Sequence, residues 1–347
     1  MSISSVTRPA LARPLNLRHL DRLVDARGIV QFARGERPDL SSGYCVDDVA
    51  RLGVVAAGLS TAGKGGTRPG RWARLAVHFL WQAWDPGTER LHNLMDARGR
   101  WLDEPHHGDH TGRAIWALGE LTGAPLPSRV RHRAARLRAR LAPTLPALAR
   151  HGLRPVAYAA LGLTGHSALS LLDMTAPPAD WPWFEPQLTY DNARLPQALL
   201  RTAVAAGDRA TAARALAAID WYAERVGLPA GPPRLVGNLW WRHGQEHAGG
   251  DEQPLDAAAL AEALTDAWLY TGEERYAAMA ARAFGWFHGD NAAGLPVYDP
   301  ADGGCRDGLG ASWTNRNKGA ESTLAYHQAL LRLTSASLVK LPVNYPP

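Results

Sequence analysis

The chain has 347 residues, 46% hydrophobic and 20% charged, with a formal net charge of +5 and a pI near 9.4. That composition supplies a large core and excludes a disordered or low-complexity chain. It holds no apolar run long enough to span a bilayer, no signal-peptide core in residues 1–13, and only two cysteines, Cys45 and Cys305, so the expectation is a reduced cytoplasmic protein without a membrane partner.

Helical periodicity dominates and alternating strand patterns are nearly absent. The spacing predicts a first helix over 14–25. Gly43-Tyr44-Cys45-Val46-Asp47-Asp48 then opens a helix over 47–60, followed by one over 71–84. Trp101-Leu102-Asp103-Glu104 runs through His106, His107, Asp109 and His110 into a helix over 110–122. The next, over 128–142, holds six arginines between Arg129 and Arg140, with Val130, Ala134, Leu137 and Leu141 at helical spacing. No nucleic-acid-binding motif accompanies that run, so it reads as the wet face of an outer helix and no nucleic-acid partner is expected.

Further on, His151-Gly152-Leu153-Arg154 introduces a helix over 153–164, and a short helix is expected within 165–176. Leu188-Thr189-Tyr190-Asp191-Asn192 introduces 190–206, followed by 209–225. Asp251-Glu252-Gln253-Pro254 introduces 254–271, followed by 273–288. Asn315-Arg316-Asn317-Lys318-Gly319-Ala320-Glu321 introduces 319–334. About twelve helices pair into six hairpins. Helices that follow a polar stretch are small and apolar all round, as an inner ring requires; those between them keep one charged face. Long loops at 85–109, 173–188, 226–253 and 289–318 lead into inner helices, and long structured loops usually serve a site. The expected fold is all-α, an (α/α)6 toroid spanning the chain as one domain. Residues 1–13 would be an irregular arm and 335–347 a tail. The amino ends of the inner helices would meet in one polar mouth.

The set Gly43-Tyr44-Cys45-x-Asp47-Asp48-x-Ala50-Arg51, Tyr190-Asp191-Asn192-Ala193-x-Leu195-Pro196, Gln253-Pro254 and Gly319-Ala320-Glu321-Ser322-Thr323-Leu324 resembles a bacterial family of six-hairpin glycosidase-like proteins, described as glycosyltransferase-associated or mannan-related. The resemblance covers residues 16 to 334 and implies an (α/α)6 toroid with carbohydrate as the ligand class. Where that family reads Gly-Ser-Glu-Asp-Ser-His-Gly-Arg-Ala, this chain has His106-His107-Gly108-Asp109-His110-Thr111-Gly112-Arg113-Ala114. Gly108 stands in place of an acid, which implies an altered substrate or lost activity if that acid is catalytic in relatives.

Glycoside hydrolysis needs one carboxylic acid to protonate the leaving oxygen and a second carboxylate as base or nucleophile, with pKa values driven apart. The catalytic candidates are an acid from Asp103, Glu104 or Asp109 facing a base from Glu321, Asp47 or Asp191, read as an inverting pair. Asp48 and Asp191 could equally cap their helices. Of thirteen tryptophans, Trp101, Trp241 and Trp313 sit in loops where indole can stack on a sugar face, beside Tyr44 and Tyr190. Asp48, Asn192, Glu252, Gln253, Asn315, Arg316 and Lys318 are further substrate-binding candidates, and Arg113 could clamp a substrate oxyanion or simply pair with Asp109. His107 and His110 would bind substrate, or carry protons if the reaction is epimerisation. His243-Gly244-Gln245-Glu246-His247 copies a metalloprotease pattern but lies in a glycine-flanked loop, not a helix, so no metal is expected. No phosphate loop or dinucleotide fingerprint implies a cofactor. Cys45 and Cys305 are expected as buried free thiols brought together by ring closure. The leading expectation is a glycoside hydrolase acting on an oligosaccharide or glycoside. The alternatives are a sugar epimerase or isomerase, and a non-catalytic sugar-binding partner of a glycosyltransferase.

Overall fold

The helices whose sequences are apolar on every side close into a ring. In the computed structural model, which describes residues 11–163, 169–172, 177–247 and 249–340, the helices in chain order are α1 (Arg18–Leu23), α2 (Val46–Thr61), α3 (Arg68–Ala83), α4 (Asp109–Gly123), α5 (Ser128–Leu141), α6 (Leu145–Leu148), α7 (Leu153–Gly162), α8 (Leu169–Leu172), α9 (Arg194–Ala206), α10 (Arg209–Arg225), α11 (Pro254–Thr271), α12 (Glu274–Gly285) and α13 (Ala320–Ser335). Helices α2, α4, α7, α9, α11 and α13 each pack on the next, and α13 returns to α2. Outside them, α3 leans on α2, α5 on α4, α8 on α7, α10 on α9 and α12 on α11. The sixth inner helix, α13, is backed by α1 from the start of the chain. The chain is thus an (α/α)6 toroid.

Local sequence explains the two kinds of helix. Pro254 opens α11, Gly272 ends it with φ of 72°, and every residue from Pro254 to Ala267 is buried, as a helix packed on all sides must be. In α3, by contrast, Trp72, Ala73, Ala76, Phe79 and Leu80 form one inward stripe. Helix α5 buries Val130, Ala134, Leu137 and Leu141 and turns its arginines outward, as expected, except the half-buried Arg138, which reaches the Gly162 carbonyl. Helices α4 and α7 approach closely along glycine: a Cβ on Gly112 would collide with the Pro155 backbone, and one on Gly119 with Gly162.

Three features depart from the sequence reading. Helix α9 begins at Arg194, not 190, because Asp191 holds φ at 49°, outside the helical region. Two-residue strands staple the loops: Tyr44–Cys45 with Leu94–Met95, and Gln187–Leu188 with Trp241–Arg242. Pairs this short leave no alternating pattern to detect. Leu11–Ala12, expected in an irregular arm, pairs in parallel with Val339–Lys340, expected in a tail. Of the helix expected within 165–176, only α8 falls in the described residues. Among the described residues no helix is long and apolar enough to cross a membrane, and Cys45 and Cys305 are buried free thiols.

Candidate active site

The amino ends of the inner helices surround a cavity of about 420 Å³. Its walls include Asp47, Asp48, Asp109, Arg113, Tyr190, Gln253 and Glu321, contributed by segments far apart in sequence. Helix α2 is started by Cys45, whose sulfur accepts the Asp48 backbone N–H at 3.4 Å while its thiol donates to Asp48 Oδ2 at 3.2 Å.

Two arginines, each about one helical turn inside its helix, clamp the acids. Arg51 donates to Asp48 at 3.0 Å and to Glu321 at 2.6 Å. Arg113 donates to Asp47 at 2.6 Å and lies 3.5 Å from Asp109. Asn93 also donates to Asp47 at 3.1 Å, and the Tyr190 hydroxyl donates to Asp109 at 2.7 Å. Adjacent carboxyls are pushed in opposite directions. Burial lifts Asp48 to about 6, reinforced by the Glu321 charge and only partly offset by Arg51. Burial also lifts Asp47, but Arg113 and Arg51 outweigh it and hold that carboxyl below its ordinary value. Burial likewise raises Asp307, which accepts the Gly319 N–H at 2.6 Å in the same wall.

A buried polar chain forms the floor. Arg113 donates to the Tyr158 hydroxyl at 2.7 Å, and Tyr158 donates to Asp191 at 2.5 Å. Asp191 lies 3.3 Å from Arg194, which donates to both Glu262 oxygens at 2.8 and 3.0 Å. The left-handed Asp191 backbone N–H donates to Asp256 at 2.6 Å. Burial, and then the Asp191 charge, push the Asp256 carboxyl well above its usual range. Asp191 therefore sits beneath the cavity, tied into the floor.

Other sequence candidates have different work. Asp103 accepts the backbone N–H groups of Asn93 and Leu94 and shapes its loop, and Glu104 is exposed outside the cavity. Trp101 stacks on His92 with ring centres 5.0 Å apart. His110 points a ring nitrogen at the Leu91 and His106 carbonyls, and His107 packs beside His151; neither ring lines the cavity. Tyr44 donates to Asp25 at 2.5 Å. Asn192 bonds Thr189 and Arg154. Trp241 packs on Trp181, and Trp313 is exposed beside Gly310. Glu252 accepts from Trp286 Nε1 at 2.6 Å, and burial raises it to about 7. Asn315 caps the Asn317 N–H, Arg316 is exposed, and Lys318 is buried in ion pairs with Asp299 and Asp302. His243 pairs with Asp180 in the loop at 2.8 Å. Among the described residues no cluster is arranged to hold a metal.

Sequence reasoning passed over Arg51, Asp307, Ser322, Gln31 and Phe32 in the cavity wall. A usable signal existed for Arg51. The pairs Asp47/Arg51, Asp109/Arg113 and Asp191/Arg194 repeat an acid followed one turn later by arginine, at the start of three inner helices. Phe32, 61% exposed at the rim, lies before the first inner helix, in a segment whose pattern carries no such repeat.

No family model and no curated protein sequence matches the chain. Solved structures do. Cellobiose 2-epimerase from Bacillus thermoamylovorans superimposes with a TM-score of 0.71 at 12% identity, covering 93% of this chain and 96% of its own. A D-mannose isomerase gives a TM-score of 0.64 at 13% identity, covering 92% of this chain and 94% of its own. A cellulase of C. cellulolyticum in complex with cellobiose gives 0.53 at 11% identity, covering 91% and 89%. The six-hairpin toroid expected from the motifs is the fold of all three.

Proposed function

We infer that the chain is a saccharide-processing enzyme and that the cavity at the amino ends of the inner ring is its active site. The observation that carries this reading is a buried carboxyl raised to about 6, Asp48, sharing Arg51 with a more exposed carboxylate, Glu321, in one cavity. A carboxyl that keeps its proton beside one open to water is what acid–base chemistry at a glycosidic bond needs. Phe32 at the rim offers an apolar face for a sugar ring. Support also comes from the fold, which here serves two sugar isomerising or epimerising enzymes and a cellulase.

The reaction proposed is hydrolysis. Asp48 gives its proton to the glycosidic oxygen as the bond to the anomeric carbon breaks. A water attacks that carbon, and Glu321, the more exposed carboxylate across Arg51, takes the water's proton. Arg51 joins the two carboxylates and fixes their spacing. Asp47, Asp109 and Arg113 accept from and donate to sugar hydroxyls. This scheme uses neither Asp103 nor Glu104, which do not line the cavity.

A second reading is favoured by the two arginines. A guanidinium beside each carboxylate could stabilise the enediolate of a sugar epimerisation or isomerisation, with a carboxylate rather than His107 or His110 moving the proton. Product analysis over an oligosaccharide panel in deuterated water decides between them. Hydrolysis releases a new reducing end with no deuterium on carbon; isomerisation places solvent deuterium on the carbon beside the carbonyl. Binding without either product removes the enzymatic reading.

A further inference from the structure

At the opposite end of the toroid, where the inner helices finish, two cavities of about 520 and about 390 Å³ share Thr61, Glu120 and Arg201 and form one rear basin. Helix carboxyl ends are electronegative and by themselves repel anions. Here the lining is basic: Lys64, Arg138, Arg201 and Arg332 stand against Glu120 and Glu262, with Asp266 behind Arg332. Most of these groups are already committed. Glu262 is held by Arg194 and Gln328, Arg332 by Asp266, and Arg138 donates to the Gly162 carbonyl at 3.4 Å.

Two cations are left over. Arg201 is no closer than 3.7 Å to its carboxylate, Glu120, which already accepts from Trp116 Nε1 at 3.2 Å. Lys64 has no ion pair among the described residues. Beside Arg201, Thr202 is 5% exposed, lines the smaller cavity, and its hydroxyl has no partner. An arginine with only a loosely held carboxylate and a lysine with no ion pair are the groups a tetrahedral oxyanion would satisfy, and the unpartnered Thr202 hydroxyl lies buried beside them.

We propose that the rear basin binds a phosphate-class anion, either free phosphate or the phosphate of a sugar phosphate. Arg201, which borders both cavities, is the main contact, with Lys64 on one flank and Thr202 on the other. This site is separate from the front cavity and stands whether or not the reading given there holds. The test is thermal unfolding and calorimetric titration with inorganic phosphate, glucose 6-phosphate, glucose, and potassium chloride at matched ionic strength. Wild type and Glu321→Gln should both be stabilised by the two phosphate compounds and by neither glucose nor chloride. Tighter binding of glucose 6-phosphate assigns the sugar phosphate; equal binding assigns the free anion. Arg201→Ala should weaken binding about tenfold or more, Lys64→Ala and Thr202→Val less, and Arg201→Lys should recover part of the loss. Three results would overturn the proposal: no response to either phosphate compound, an undiminished response in the Arg201→Ala, Lys64→Ala double variant, or loss of the response in Glu321→Gln.

Discussion

Glu321 carries the sharpest expectation at the level of single residues. It projects from the first turn of α13, its side chain 43% exposed and held by Arg51. Removing its charge should leave folding almost untouched and remove proton transfer. Glu321→Gln is expected to lower turnover about a hundredfold or more with an unchanged far-ultraviolet spectrum. Asp48 makes a different prediction. Its carboxyl is raised from 3.8 to about 6, so the native state binds the extra proton between those values. Stability must then fall as pH rises through that window, and the loss is complete above about 6. Two units correspond to roughly 3 kcal/mol. The stability of Asp48→Asn relative to wild type should therefore rise by that order between about pH 4 and about pH 7, read from urea denaturation at both ends. Glu252, raised from 4.5 to about 7, has the same sign over a higher window. It lies against Trp286, outside the cavity, so Glu252→Gln should flatten the stability profile while changing turnover no more than a few-fold.

At the level of helices, the seam between α4 and α7 is the feature least tolerant of change. Gly112 and Gly119 lie two turns apart on α4, against the backbone of Pro155 and Gly162. The atoms that block a side chain there are backbone, which cannot swing aside. Gly119→Ala, a substitution that ordinarily favours a helix, should instead destabilise by about 1–3 kcal/mol, measured as a lower denaturation midpoint. Most helices were legible in the sequence to within a few residues, because an inner helix buried all round and an outer helix buried on one side carry different patterns. What escaped were features without periodicity. Examples are two-residue strands, the late start of α9 imposed by the left-handed Asp191, and which loop acids turn inward. Asp103 and Asp109 look alike in sequence; backbone N–H groups capture one and a tyrosine and an arginine hold the other at the cavity. Only the folded loop distinguishes them.

For the molecule as a whole, the ring depends on its two chain ends. Helix α1 lays His19, Leu20 and Leu23 against α13, His19 bonds the Lys318 carbonyl at 2.7 Å, and residues 11–12 pair with 339–340. Removing residues 1–24 would expose one inner helix to water and leave His327 without the Asn16 carbonyl it meets at 2.9 Å. Burial of each large apolar side chain contributes about 1.5–3 kcal/mol. The truncated chain is expected to lose its single cooperative thermal transition, seen by calorimetry, where wild type keeps it.

The run of buried side chains from Arg113 through Tyr158, Asp191 and Arg194 to Glu262 has a consequence for traffic. It stoppers the axis of the doughnut, so the front hollow is a cup and not a tunnel. Nothing can be threaded through, and whatever enters has to leave by the doorway through which it came.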